Sequence, residues 1–327
     1  GDVYNRQSIT GLILNVVSYL AIILLVTWEQ NYLLALGIGT VTEVVLNIWI
    51  SWYVEQKYPF LRQRRKEKST SSLTKRIVRD LKSLFISRIS EKMLYCTDNL
   101  IISGFIGVGT VGRYANYCMI TQAISNILTI LANTIQPTVG DYFTEKNRQR
   151  NYEILRQLTF GFFCIASVVS VGLFSLITPF VRDIWLGPSY ELGWGITVFC
   201  IVVLLVRIMG LPLSLVMGVT GLFEKEKNVG ASSALLNLIV SLALVKPYGM
   251  AGVLLGTLLS YLLQILYRYI IYFRDFLEMP GEALRYAQDI GEYLAVIAGE
   301  VLLMQKIVPL IYGAGGMLLF CVCFLLC

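Results

Sequence analysis

The chain has 327 residues, of which 56% are hydrophobic and only 15% charged, with a formal net charge of +6. Soluble domains carry about 25% charged residues, so this composition predicts an integral membrane protein. The sequence contains no histidine, which excludes His-based acid–base catalysis and His metal ligands. Cytoplasmic loops of membrane proteins supply such a positive charge, so we expect no nucleic-acid partner.

Ten stretches are apolar enough to cross the hydrocarbon core, which takes about 20 residues. We therefore predict an all-α, polytopic membrane helical bundle with about ten transmembrane helices. Pro212 lies inside the sixth span and predicts a kink. In chain order the predicted spans are 9–27, 32–54, 83–106, 113–139, 152–179, 194–220, 229–245, 250–273, 292–307 and 309–327.

The loop at residues 55–82 is rich in lysine and arginine. If both termini are cytoplasmic and successive spans cross the membrane in opposite directions, this loop lies on the cytoplasmic side. The basic residues around Arg148 and Arg274 and a turn at residues 224–227 then lie there too. The loop divides the chain into a helical hairpin (1–54), the basic loop (55–82) and a bundle (83–327). We interpret the loop as an anchor on an anionic leaflet, with a substrate-gathering or partner-binding role as the alternative.

The third span carries charges along one face. A charge in hydrocarbon costs at least about 2.5 kcal/mol, so this face is predicted to line a protein interior or a water-filled cavity. One interpretation is internal pairing of the charges, and the other is a site for an anionic group or a coupling ion. Within a wedge of roughly 120° lie Arg88, Glu91, Lys92, Tyr95, Asp98 and Asn99.

The fourth span carries a neutral polar stripe, and the second and sixth spans carry single charges. The stripe side chains suit sugar hydroxyls and water, or hydrogen bonds between helices. Arg207 in the sixth span needs an acidic partner, for which Glu43 and Asp98 are candidates, or an anionic ligand. The stripe comprises Gln122, Asn126, Thr129, Asn133 and Gln136, at steps of four and three residues.

Glycines and cysteines have simpler interpretations. Gly249, Gly252 and Gly256 are predicted to permit close helix packing. The seven cysteines lie mostly in apolar stretches without a CxxC pair, which favours small buried side chains over disulfides or metal ligands. Phosphate loops of the GxxxxGK[ST] type are absent from the sequence, so we expect no direct coupling to ATP.

Three segments together resemble one family. They are YCTDNLIISGFIGVGTVGRYANY (95–117), KPYGMAGVLLGTLLSYLL (246–263) and EQKYP (55–59). They resemble the polysaccharide transporters, the O-antigen and capsule repeat-unit flippases of the multidrug/oligosaccharidyl-lipid/polysaccharide exporter superfamily. Family members have two pseudo-symmetric bundles. The resemblance implies that this chain holds the second bundle and a two-helix remnant of the first, and that it is truncated at its N-terminus.

The implied activity is alternating-access movement of a polyprenyl-diphosphate-linked oligosaccharide across the bacterial inner membrane. The implied partners are membrane lipid, the lipid-linked substrate and polysaccharide assembly proteins, and we expect no enzyme activity, cofactor, catalytic residue or metal site. Arg88, Lys92 and Arg207 would bind the diphosphate, and Asp98, Glu91 or Glu43 a coupling Na⁺ or H⁺. The glycan would be bound by Tyr95, Asn99, Gln122, Asn126, Thr129 and Asn133.

Three other functions remain open from the sequence. A cation-coupled multidrug exporter of the same superfamily shares the topology, but it would favour acids and aromatic residues over the cations present here. A membrane-embedded polymerase or ligase of the same pathway is expected to have a large external loop, which this sequence lacks. A purely structural assembly partner is the third alternative.

Overall fold

A computed structural model describes residues 16–24, 27, 32–57, 78, 81, 85, 89, 93, 96–143 and 147–312. The chain forms two compact units, one of residues up to Thr74 and one from Lys75 onward. The predicted basic loop lies almost wholly outside the described residues. Throughout the described ranges the regular structure is helical, with no strand, which confirms the predicted all-α class.

The first unit contains two described helices, α1 (16–24) and α2 (Tyr32–Lys57). They meet where the Thr42 hydroxyl donates a hydrogen bond to the Ser18 hydroxyl at 3.2 Å. Further along α2, the rings of Trp49 and Tyr53 stack with centroids 5.6 Å apart. Helix α1 lies within the first predicted span, and α2 covers the second.

The second unit contains eight described helices. They are α3 (96–105), α4 (Val108–Tyr142), α5 (Arg148–Pro179), α6 (Trp194–Met209), α7 (Leu211–Val219), α8 (Phe223–Tyr248), α9 (Met250–Ile271) and α10 (Pro280–Tyr312). Single π-helical turns extend α5 to Trp185 and α9 to Leu277. In this unit α9 packs against α8 and α6, α5 against α10 and α6, and α4 against α6 and α7.

Many of these helices satisfy the requirements of a membrane span. Their apolar side chains cover most faces, as expected when lipid rather than water surrounds the bundle. Among the described residues, five helical stretches are long and apolar enough to cross a bilayer. These are Val108–Tyr142, Arg148–Trp185, Trp194–Val219, Val229–Tyr248 and Met250–Leu277.

The structure corrects three details of the predicted spans. The sixth span is two helices, because α6 ends at Gly210 and α7 begins with Pro212 in its first turn, so the predicted kink is confirmed as a break. The predicted turn at 224–227 is helical, and the turn lies just before it at Gly221, whose φ is +72°. The predicted boundary between the last two spans, at residue 308, lies inside α10.

Two glycines on α9 determine how closely it approaches α8. A Cβ on Gly252 would collide with the backbone carbonyl of Leu244, and one on Gly256 would collide with the Ser241 hydroxyl. The prediction of close packing is thus confirmed for these two positions. Gly249 has a different role, because its φ of +57° makes the turn between α8 and α9.

Candidate functional site

A buried carboxylate lies at the centre of the second unit. Asp98 in α3 is only 4% exposed. Its Oδ2 accepts a hydrogen bond from the Thr257 hydroxyl at 2.6 Å, and its Oδ1 accepts one from the Asn237 side-chain amide at 3.3 Å. Both partners are themselves buried, and both are neutral. Burying an ionised carboxylate in such surroundings costs free energy. Binding a proton or a cation would remove that cost.

The hydrogen-bond network of Asp98 joins polar groups on α3, α8 and α9. The Asn237 amide also donates to the Thr257 hydroxyl at 2.9 Å. The Ser241 hydroxyl, one turn along α8, lies 3.3 Å from both the Asn237 side-chain oxygen and the Val253 carbonyl. The Asp98 carboxylate, the Asn237, Ser241 and Thr257 side chains and the Val253 carbonyl therefore form one connected hydrogen-bond network.

Local sequence explains this convergence. Asn237 and Ser241 are four residues apart on α8, and Val253 and Thr257 are four residues apart on α9, so each pair shares one helix face. Gly256 removes the side chain that would otherwise hold the helices apart at this level. We call these polar groups the Asp98 cluster (Asp98, Asn237, Ser241, Val253 and Thr257). Gly256 thus allows both the close packing of α8 and α9 and the contacts within the cluster.

A small cavity of about 50 Å³ joins the Asp98 cluster to Arg207. Asp98 and Thr257 lie on its wall with Tyr114 of α4, Gln122 of α4, Arg207 of α6 and Tyr261 of α9. A water molecule needs roughly 10–15 Å³ of such space and two to four polar partners, so the cavity has room for ordered water. The acid and the arginine therefore line the same cavity.

Arg207 is half-buried on α6, and its guanidinium donates a hydrogen bond to the Gln122 side-chain oxygen at 3.1 Å. This contact joins the predicted cation site to the first residue of the predicted polar stripe. Asp98, one of the two partners predicted for Arg207, has its own hydrogen bonds to neutral groups. The guanidinium therefore lies on the cavity wall, where one of its hydrogen bonds is to a neutral amide.

The polar stripe on α4 is only partly used inside this unit. Thr129 returns its hydroxyl to the Ser125 carbonyl of its own helix at 2.8 Å. Gln136 lies against α7, where a Cβ on Gly218 would be 3.0 Å from its amide nitrogen. Asn126 and Asn133 are exposed on the surface of the unit. Two of the five stripe residues, Asn126 and Asn133, therefore remain available to a ligand.

Several predicted residues are not placed together by the structure. Asn99 is exposed whereas its neighbour Asp98 is buried, so the two do not share one environment as the predicted wedge implied. Adjacent residues on a helix diverge by 100°, which is enough to separate them. Arg88, Glu91, Lys92 and Tyr95 lie outside the described residues. Glu43 lies in α2, and its side chain is outside the description.

Asn237, Ser241 and Thr257 are functional candidates that sequence reasoning missed. The signal was present, because Asn237 and Ser241 are polar residues four apart within an apolar span. Each alone is typical of ordinary hydrogen bonding between membrane helices. Only their convergence on Asp98, which is 139 residues away in sequence from Asn237, distinguishes them.

Comparison with known families identifies one part of the chain. Residues 7–143 match the family model described as polysaccharide biosynthesis protein. The match covers less than half of the 327 residues and includes Asp98 and Gln122, and it confirms over that range the resemblance drawn from the sequence. It supports a role in polysaccharide synthesis or export. No curated protein and no solved structure matches the chain.

Proposed function

We propose that the protein is a flippase that moves a polyprenyl-diphosphate-linked oligosaccharide across the bacterial inner membrane by alternating access. In this proposal it is not an enzyme, and both ends of the chain face the cytoplasm, as the distribution of lysine and arginine favours. The family match to residues 7–143 supports the polysaccharide pathway. The O-antigen or capsule repeat unit is the proposed class of cargo.

The observation that carries the proposal is the position of Arg207. A diphosphate entering the membrane core loses hydration, and a fixed cation must replace it. Arg207 supplies a permanent charge, and its hydrogen bond to Gln122 holds the guanidinium at the wall of the cavity. Guanidinium groups bind phosphate oxygens in pairs, which fixes the orientation of the ligand. Arg88 and Lys92 are proposed to extend this cationic site.

The exposed amides of α4 fit the rest of the cargo. Asn126 and Asn133 are exposed and lie on the same face as Gln122, since Asn126 is four residues beyond Gln122 and Asn133 is seven beyond Asn126. Neutral amides can both donate to and accept from sugar hydroxyls. The glycan would therefore follow α4 while the diphosphate remains near Arg207, and the polyprenyl tail can stay in the bilayer.

The Asp98 cluster is the proposed site of the coupling cation. Its carboxylate has two neutral partners, Asn237 and Thr257, and the Ser241 hydroxyl and the Val253 carbonyl belong to the same hydrogen-bond network. Side-chain amide orientation is assigned from hydrogen bonding, so rotation of the Asn237 amide can present its oxygen to a cation. Na⁺ or H⁺ bound at Asp98 would neutralise the carboxylate and couple its own gradient to cargo movement.

The test is transport in liposomes that contain the purified protein and a fluorescent polyprenyl-diphosphate glycan. A membrane-impermeant lectin then measures how much glycan reaches the opposite leaflet. Wild-type protein is expected to move the glycan, and Arg207→Ala is expected to reduce the rate by at least about tenfold because a charge-assisted contact is lost. Arg113→Ala, at an exposed arginine of α4, is the matched control and should transport normally.

Two outcomes would reject the proposal. Equal transport by Arg207→Ala and wild-type protein would exclude the arginine as a diphosphate ligand. Movement of a lipophilic cation such as ethidium, with no movement of the glycan, would instead favour the multidrug exporter. Protein content and thermal unfolding of each variant must match before the rates are compared.

A further inference from the structure

A second groove lies between α4 and α5, away from the Asp98 cluster. It has a volume of about 610 Å³, within the range of about 300–1,000 Å³ typical of ligand pockets. One end carries Tyr142, Arg150 and Glu153, and the remainder is mostly apolar. The polar end lies where α5 begins, at Arg148. The groove thus runs from one end of a membrane-spanning helix toward its middle.

The α5 residues that line the groove change from charged to polar to apolar along the helix. Arg150, Glu153, Gln157, Gly161 and Ile165 follow one another at steps of three or four residues, so they share one face of the helix. At 1.5 Å per residue this row is about 22 Å long. It passes from two charges through an amide to apolar positions. A phospholipid changes in the same order, from headgroup through ester to acyl chain.

The apolar part of the groove has two walls and an open floor. Leu131, Ile135 and Val139 of α4 face Leu158 and Phe162 of α5 across it. Between these walls, a Cβ on Gly161 would have no atom within 4 Å. An extended acyl chain can therefore lie along the groove and contact both helices through dispersion forces.

The polar end holds two opposite charges one helical turn apart. The Arg150 guanidinium carbon lies 5.5 Å from the centroid of the Tyr142 ring, a cation–π contact that orients it. Glu153 is exposed, and its Oε1 accepts a hydrogen bond from the Gln149 amide at 3.3 Å. An ionised carboxylate has further acceptor sites, so it can accept from a second donor as well.

From this arrangement we propose that the groove binds one zwitterionic phospholipid whose headgroup ends in a primary ammonium. Its phosphate lies at Arg150, its ammonium donates to Glu153, its ester accepts from Gln157, and one acyl chain fills the apolar part. An anionic headgroup would place negative charge beside Glu153, and a choline headgroup has no N–H to donate. The site is independent of the proposed transport function, since it uses a lipid that stays in the bilayer.

The experiment is native mass spectrometry of the purified protein in detergent. Equal amounts of dioleoyl phosphatidylethanolamine, phosphatidylcholine and phosphatidylglycerol are added, and the bound lipid is counted for each. We expect wild-type protein to retain phosphatidylethanolamine roughly three- to tenfold over the other two, the range of a partly exposed charge-assisted hydrogen bond. Equal retention of the three lipids, or the strongest retention of phosphatidylglycerol, would overturn the proposal.

Two variants test the headgroup contact and the acyl-chain contact separately. Glu153→Gln keeps the shape and hydrogen bonding of the side chain but removes its charge, so the preference for phosphatidylethanolamine should fall to about onefold. Gly161→Leu places a side chain in the groove and should remove specific retention of all three lipids. The matched controls are Glu292→Gln and Gly299→Leu, both at exposed positions of α10.

Each variant has a result that contradicts the proposed site. An unchanged lipid preference in Glu153→Gln would exclude the carboxylate as the headgroup acceptor. Unchanged retention in Gly161→Leu would exclude the groove as the acyl-chain site. Because Glu153 is exposed, its substitution leaves folding intact, and the headgroup result stands even where Gly161→Leu lowers the unfolding temperature.

Discussion

Acidic side chains have different partners at the ends of the bundle and in its interior. At one end of the bundle, two arginines of α5 form ion pairs with acidic residues in or just before α10. Arg148 pairs with Glu278 at 2.7 Å, and Arg156 pairs with Asp289 at 2.7 Å. In the interior, Asp98 has hydrogen bonds to Thr257 and Asn237 instead. An ion pair holds a carboxylate permanently charged, whereas neutral partners allow it to gain and lose a cation.

Glu300 lies between these two cases. It is half-buried on α10 and accepts a hydrogen bond from the Ser167 hydroxyl of α5. A hydroxyl partner alone therefore does not distinguish the Asp98 cluster. Asp98 differs because it is buried with two neutral hydrogen-bond partners and because it lines a cavity with Arg207. Glu300 is thus the natural control for tests of Asp98.

The largest expected effect follows from Asp98→Asn. The amide keeps the size of the carboxylate and one of its two acceptor oxygens but carries no charge to attract a cation, so cation-driven transport should be lost. Wild-type protein should also be stabilised by its coupling ion, by about 2.7 kcal/mol at 100 times the dissociation constant. Thermal unfolding in NaCl against choline chloride, and across a pH series, measures this response.

Glu300→Gln provides the matched control for this measurement. It also removes an acidic charge from a position with a hydroxyl partner, but outside the Asp98 cluster. The variant should keep the cation response of the wild type. If Asp98→Asn kept that response and Glu300→Gln lost it, the coupling site would have to be reassigned to α10.

The second prediction concerns the packing that brings the cluster together. In Gly256→Val the new side chain would collide with the Ser241 hydroxyl, so α8 and α9 must separate. Overpacking of this kind costs about 1–3 kcal/mol and should lower the unfolding temperature together with the cation response. Gly299→Val, where a Cβ would have no atom within 4 Å, is the control. An unfolding temperature equal to that of the wild type would show that close approach is not required.

Most of the fold could be predicted from the length of the apolar stretches, but the site could be predicted only in part. Asp98 and Arg207 were found because a charge inside an apolar span is rare and expensive. Asn237 and Thr257 were missed because neutral residues are common in membrane helices. Their importance comes from contacts 139 and 159 residues away in sequence, which no local pattern encodes. The break at Gly210, next to Pro212, was predictable because proline acts locally.

The smallest expected effect is at the Arg156–Asp289 ion pair. Its two hydrogen bonds, at 2.7 and 3.1 Å, have good geometry, but the Arg156 side chain is 56% exposed. Water and salt screen such a pair, so a double-mutant cycle with Arg156→Gln and Asp289→Asn should give a coupling of about 0.5 kcal/mol. The coupling should fall further in 1 M salt, where the screening length is about 3 Å.

A cycle across the Asp98–Thr257 contact, with Asp98→Asn and Thr257→Val, completes the comparison. Both groups are buried, and a lost partner there leaves a polar atom without water, so the coupling measured in choline chloride should be larger and should not fall as the ionic strength rises. A coupling of more than about 2 kcal/mol at Arg156–Asp289 would contradict this ranking. It would mean that the ends of the bundle, and not its polar interior, contribute the stronger electrostatic interactions.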